Sequence, residues 1–166
     1  MKDKQDDNPY LWKLYRADLA DRRRPPKNLA QRDGYRKSRV YGAYGKRQIR
    51  TALDYHHASL ILQHGTQVGD FRLAHQFAVR ALRLGDNSAR FLFAATMDRY
   101  LARNGKPQHY GTQIHFSGQS WTIWPTDPKT SDSERAKFAV RPLRILCQTA
   151  ERLNSSIRSR CHSGLP

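Results

Sequence analysis

Ionisable residues stand inside apolar helical stripes at several points of this chain, and they are where chemistry is to be sought. On a helical wheel Asp98 falls between Phe91 and Ala94, and Arg99 falls beside Ala95. His57 and His64 share one face with Leu53, Leu60 and Ile61, and His75 lies between Val79 and Leu82. Asp18 and Arg22 form an i,i+4 pair beside Leu11 and Leu14. Each inward charge must be paired, because an unpaired one is strongly destabilising. One reading is a polar pocket at the helix junction. There His75 or His64 would act as acid and base, since imidazole exchanges protons near neutrality. Asp98 would orient the ring, and Arg22 or Arg99 would hold an anionic or polar small molecule, with Asp18 and His57 completing the lining. The competing reading is a structural network that fixes helix register, as in a scaffold or interaction protein.

The stretch Gly105–Gln113 joins helix to hairpin and carries Gln108, His109, Tyr110 and Gln113. Amides and a phenol on a rigid turn suit ligand reading, and they also suit an irregular backbone that must be satisfied internally. Gln108, Tyr110 and Gln113 are therefore candidate ligand contacts. No metal site is expected: the chain has no HExxH, and adjacent His56 and His57 point about 100° apart on a helix. No P-loop sequence opens a helix, so a nucleotide triphosphate is not indicated and no cofactor can be named. Cys147 is expected to be a small buried hydrophobe and Cys161 a free thiol in the tail.

The elements that must position these residues are mostly helical. Asn8-Pro9 opens a helix that Pro25-Pro26 ends. A polar and aromatic segment at 27–48 is interrupted by Gly34, Gly42 and Gly45, which argue against one continuous helix. Residues 51–64 form a helix closed by Gly65, Asp70 caps the next, which stops at Gly85, and residues 87–104 form another. Short turns join these three, so an antiparallel bundle resembling tetratricopeptide-like hairpins is expected, although no 34-residue period is present. Residues 112–116 and 120–124 read as a β-hairpin anchored by Trp121 and Trp124. Ser131 and Glu134 have capping-box spacing, and a last helix runs from Pro142 to about Asn154. The expected organisation is a flexible 1–8, a single helical domain over 9–154 and a loose basic tail over 155–166.

Composition bounds the function. The 166 residues carry 30 Lys and Arg against 14 Asp and Glu, a net charge of +16. No apolar run approaches the roughly 20 residues of a membrane span. The N-terminal charges precede no apolar stretch, so a cytoplasmic protein is expected. Residues 22–50 hold eleven basic side chains and one acid, Asp33. That block makes nucleic acid the alternative partner, through Arg32, Arg36, Lys37, Arg39, Lys46, Arg47 and Arg50. It has no zinc-finger spacing, GXXG clamp or RNP-type strand. Oligomeric state is not legible.

Asp98-Arg99-Tyr100-Leu101 and Gly105-Lys106-Pro107-Gln108-His109-Tyr110-Gly111-Thr112-Gln113 resemble signatures of a bacterial family of uncharacterised small helical proteins. Asp54 to Ala58, Gln63 to Gly65, Leu73 to His75, the Trp124-Pro125 turn and Glu134-Arg135 extend the likeness over about residues 10–154. The resemblance implies no reaction. It implies that a site would lie where these signatures meet the inward-facing polar residues.

Overall fold

The computed structural model of the chain describes residues 6–162. Residues 1–5, residues 163–166 and the side chains of residues 156–162, Cys161 among them, lie outside the described residues.

Helix α1, Pro9–Arg23, begins where the Asn8 side chain accepts from the amides of Tyr10 and Leu11. Residues 7 and 8, just before it, bond to the start of the third helix. The Asn8 amide donates to Asp54 Oδ1 at 2.7 Å, and Thr51 Oγ1 donates to Asp7 Oδ1 at 2.6 Å. Helix α2, Leu29–Gly45, is continuous despite its glycines. Its buried residues Arg36, Val40 and Ala43 supply the tertiary hold, while Gly34, Gly42 and Gly45 have open space where a side chain would stand. Packing of one face outweighs the weak helix propensity of glycine here.

Helix α3, Ala52–Leu62, starts from a reciprocal capping box between Thr51 and Asp54. Helix α4, Val68–Arg83, begins earlier than expected: Gln67 is the cap, and Asp70 is the third residue inside. The Asp70 carboxylate accepts from the amides of Thr66 and Gln67, both at 3.0 Å, from Lys37 Nζ and from Tyr41 Oη. A 3-10 turn at Asn87–Ala89 leads into α5, Arg90–Arg103. Strands β1, Ile114–Ser117, and β2, Ser120–Ile123, pair antiparallel with Phe116 opposite Trp121. Helix α6, Asp132–Lys137, is capped by Ser131, and α7 runs over Leu143–His162, well past the expected end near Asn154. Cys147 is exposed on α7 rather than buried.

The result is a mainly α bundle with a small hairpin. Helix α3 packs on α1, α2 and α4, α4 packs on α5, and no repeat pattern supports a likeness to tetratricopeptide hairpins. The main core joins Leu11 and Leu14 of α1 to Val40, Ala58, Ile61, Leu62 and Phe77. A smaller core joins Ala94 of α5 to Tyr110 and Val140, with Phe93, Met97, Phe138 and Leu146 against them. The hairpin lies on α7, where Asn154 accepts from the Trp121 amide and donates to the Trp121 carbonyl. A lone hairpin of this size would not hold itself together, so this seam is what keeps it in place. Charge reinforces the α1–α2 contact: the buried Arg36 guanidinium reaches Asp18, Asp21 and Asp33 together.

Gly65 sits so close to Asp70 that an added Cβ would enter the carboxylate, which already holds two amides, a lysine and a tyrosine. Gly65→Ala is expected to lower the unfolding free energy by roughly 1–3 kcal/mol. Urea denaturation followed by circular dichroism measures this. An unchanged midpoint would show that this corner is not tightly specified.

Candidate functional site

The end of α3, the side of α5 and the start of the hairpin enclose an open cavity of about 490 Å³. Its polar wall is His64, Arg99, Arg103 and Gln113, and its aromatic wall includes His115, Phe116 and Trp124. Arg99 and Arg103 are one helical turn apart on α5, so both guanidinium groups face the same side. The strands bring up the rings, with His115 and Trp124 packed at 4.3 Å between centroids. His115 Nδ1 is buried without a hydrogen-bond partner.

Arg99 is the unusual member. Its Nε donates to Gln113 Oε1 at 2.9 Å and its Nη1 to the Gln63 carbonyl at 2.5 Å. Both acceptors are neutral, and among the described residues no carboxylate pairs with it. Burial, with Arg103 and Arg22 nearby, lowers its pKa from the usual arginine range. The group stays charged at neutral pH, because arginine titrates far above it. A partly buried cation held by neutral acceptors keeps most of its charge available to an anion. Arg103 adds a second cation, its guanidinium 5.6 Å above the Phe71 ring.

His64 lies between this cavity and the α1–α2 charge network. Burial first, then Arg22 and Arg99, push its pKa down to about 4. The ring is therefore neutral at pH 7. Asp18 Oδ2 stands 3.6 Å from His64 Nε2, too long for a hydrogen bond and, with a neutral ring, no ion pair.

The remaining predicted residues go elsewhere. Asp18 and Arg22 belong to the α1–α2 network, with Arg22 Nη2 bonded to Asp18 at 3.1 Å and to Asp33 at 2.5 Å. His57 stacks on Tyr15 at 4.4 Å and lies near Trp12, on the α1 side of α3. His75 sits between α4 and α5, its Nδ1 3.3 Å from Thr96 Oγ1 and its ring beside Phe93. Burial lowers the pKa of both. The three histidines thus occupy separate places and do not form one proton-handling centre.

Asp98 touches none of them, nor does it pair with Arg99. Wholly buried, it accepts from the amides of His109, Tyr110 and Thr112 and from Thr112 Oγ1, all at 2.7–2.8 Å. It is the anchor of the 105–113 loop. Gln108 is also fully buried, donating to the Gln113 and Trp124 carbonyls and accepting from the Gln113 amide. The Tyr110 ring fills the smaller core, and burial lifts its pKa to about 12. Of the loop residues only Gln113 reaches the cavity. Arg103, Phe71 and His115 are cavity residues that sequence reasoning missed; the spacing of Arg103 from Arg99 was the available signal.

His56, Asp86 and Ser88 have the composition of a nucleophilic triad but not its geometry. Asp86 Oδ2 lies 2.5 Å from His56 Nδ1, and Ser88 Oγ approaches the same nitrogen at 3.3 Å. No ring relays between acid and hydroxyl as a triad requires. Among the described residues no group of three or more His, Cys, Asp or Glu is arranged to hold a metal ion. No described helix is long and apolar enough to cross a membrane.

Asp98→Asn replaces one buried acceptor by a donor facing backbone amides, so it is expected to lower stability by roughly 3 kcal/mol or more. Urea unfolding measures the loss. A variant as stable as the parent would mean that the loop holds its shape without the carboxylate.

Comparison with protein-family models, curated proteins and solved structures gives no match for this chain.

Proposed function

We propose that the protein binds a small anionic molecule with a planar ring in the α5–hairpin cavity. The observation that carries this reading is Arg99: a half-buried guanidinium, fixed in place by Gln113 and the Gln63 carbonyl, with no carboxylate among the described residues to neutralise it. The anionic group would sit against Arg99 and Arg103, and the ring against Trp124 and Phe116. His64, neutral at pH 7, would serve as a hydrogen-bond partner rather than a standing charge. The reading is of binding rather than proton-transfer catalysis, because Asp98 is occupied by loop amides and orients no histidine. The proposed family signatures, Asp98 and the 105–113 loop, would then be the frame that presents Gln113 to Arg99.

Isothermal titration with inorganic phosphate and with adenosine 5′-monophosphate tests the reading. The nucleotide is expected to bind more tightly than phosphate. Arg99→Ala is expected to weaken both by at least about tenfold, the scale of a lost charge-assisted hydrogen bond. Trp124→Leu should narrow the gap between the two probes. Binding of neither probe, or binding that Arg99→Ala leaves intact, would contradict the assignment.

A further inference from the structure

A second surface is marked by where the fold puts its acids. Between Pro9 and Gly85 the carboxylates are Asp18, Asp21, Asp33, Asp54 and Asp70, and all are engaged inside the fold. Asp18, Asp21 and Asp33 pair with Arg22, Arg32 and Arg36. Asp54 accepts from the amides of Asn8, Arg50 and Thr51, and Asp70 holds Lys37 and Tyr41. The exposed charged side chains on α1 and α2 are basic, and exposed aromatic rings stand among them.

That remainder has an order. Tyr10 of α1 and Tyr35 of α2 are 42% and 55% exposed, and the two phenols lie near enough across the helices for Tyr35 to raise the Tyr10 pKa. The Arg39 guanidinium lies 5.0 Å above the Tyr35 ring. On the α2 wheel Tyr35, Arg39 and Lys46 fall within an arc of about 40°. Between them Gly42 presents no side chain and has open space above it. Lys13 follows Tyr10 by one turn of α1. Exposed rings grouped beside cations mark an interaction surface, and here Tyr35 stands under Arg39, which pairs with no carboxylate among the described residues.

We infer that this α1–α2 face binds single-stranded nucleic acid. Phosphates would meet Arg39, Lys46 and Lys13, and bases would stack on Tyr35, with Tyr10 beside it on the rim of the groove that Asp6 and Asp7 line. Exposed rings accept bases that are not already stacked in a duplex, which favours a single strand. The set differs from the whole basic block. Arg32, Arg36 and Lys37 are tied to internal carboxylates, and Arg50 shares its groove with Asp6 and Asp7. The face is separate from the α5–hairpin cavity, and the inference does not rest on the cavity reading.

Fluorescence anisotropy with a labelled single-stranded RNA of about twelve mixed bases, titrated from low to high salt, tests it. The expected result is binding whose log affinity falls linearly with log salt. Tyr35→Ala and Arg39→Ala should each weaken it about tenfold, in line with stacking and phosphate contacts. Tyr35→Phe, which keeps the ring, should bind like the parent, and so should Arg99→Ala, which alters only the cavity. Tyr35→Leu is the second variant: it keeps an apolar cover on α2 without a stacking ring, and should bind as weakly as Tyr35→Ala. No binding at low salt overturns the inference. So does equal affinity for a duplex of the same length together with indifference to Tyr35→Ala, or binding to phosphatidylserine vesicles without binding to the RNA.

Discussion

One carboxylate shapes the wall on which the cavity depends. Asp98 is wholly buried, and a lone ionised group there would be strongly unfavourable. It is tolerated because three amides and a hydroxyl converge on it from the 109–112 turn. The same contacts give that irregular backbone the partners it would otherwise lack. With the turn held, Gln108 can bond across it to the Gln113 and Trp124 carbonyls, and Gln113 is left aimed at Arg99. The neighbouring residues Asp98 and Arg99 thus divide the work: one clamps the loop, and the other faces the space the loop creates.

The same separation of charge runs through the N-terminal half. From Asp18 to Asp70 the acids turn inward to cap helices and pair with Arg36, while cations collect outside and along the cavity. An interior satisfied in this way does not neutralise the surface, so the molecule keeps a strong positive field. His64 stands where the two regimes meet. Its lowered pKa reports the field of Arg22 and Arg99 as well as burial. The linkage has a definite sign: the unfolded chain takes up the proton near 6.5, the folded one only near 4, so His64 removes stability as pH falls through that window.

Helical spacing was enough to show that Asp98, Arg99, His57 and His75 face inward, because a wheel fixes direction about a helix's own axis. His64, by contrast, lies in the turn past the end of α3, where the expected helix over 51–64 had already stopped. Nor does a wheel fix which neighbour a direction meets. His57 therefore met α1 aromatics, His75 met Thr96, and only His64 reached the cavity. Asp98 found backbone amides, a partner that leaves no mark in residue type. The hairpin and the caps at Asn8 and Ser131 were legible from local chemistry, but the start of α4 at Gln67 and the continuity of α2 were not, since the burial of Arg36, Val40 and Ala43 in α2 is a tertiary effect that overrides three glycines. Cys147 lies one residue off the Leu143, Leu146, Ala150 stripe, which turns it by about 100° into solvent.

The account rests on an unneutralised cationic cavity, and the titration of His64 reads that charge directly. Two-dimensional NMR of the imidazole resonances against pH, with and without inorganic phosphate, is the measurement. The account predicts a midpoint near 4 in the free protein that moves upward when phosphate occupies the site beside Arg99. A His64 that titrates near 6.5 and does not respond to phosphate would contradict it.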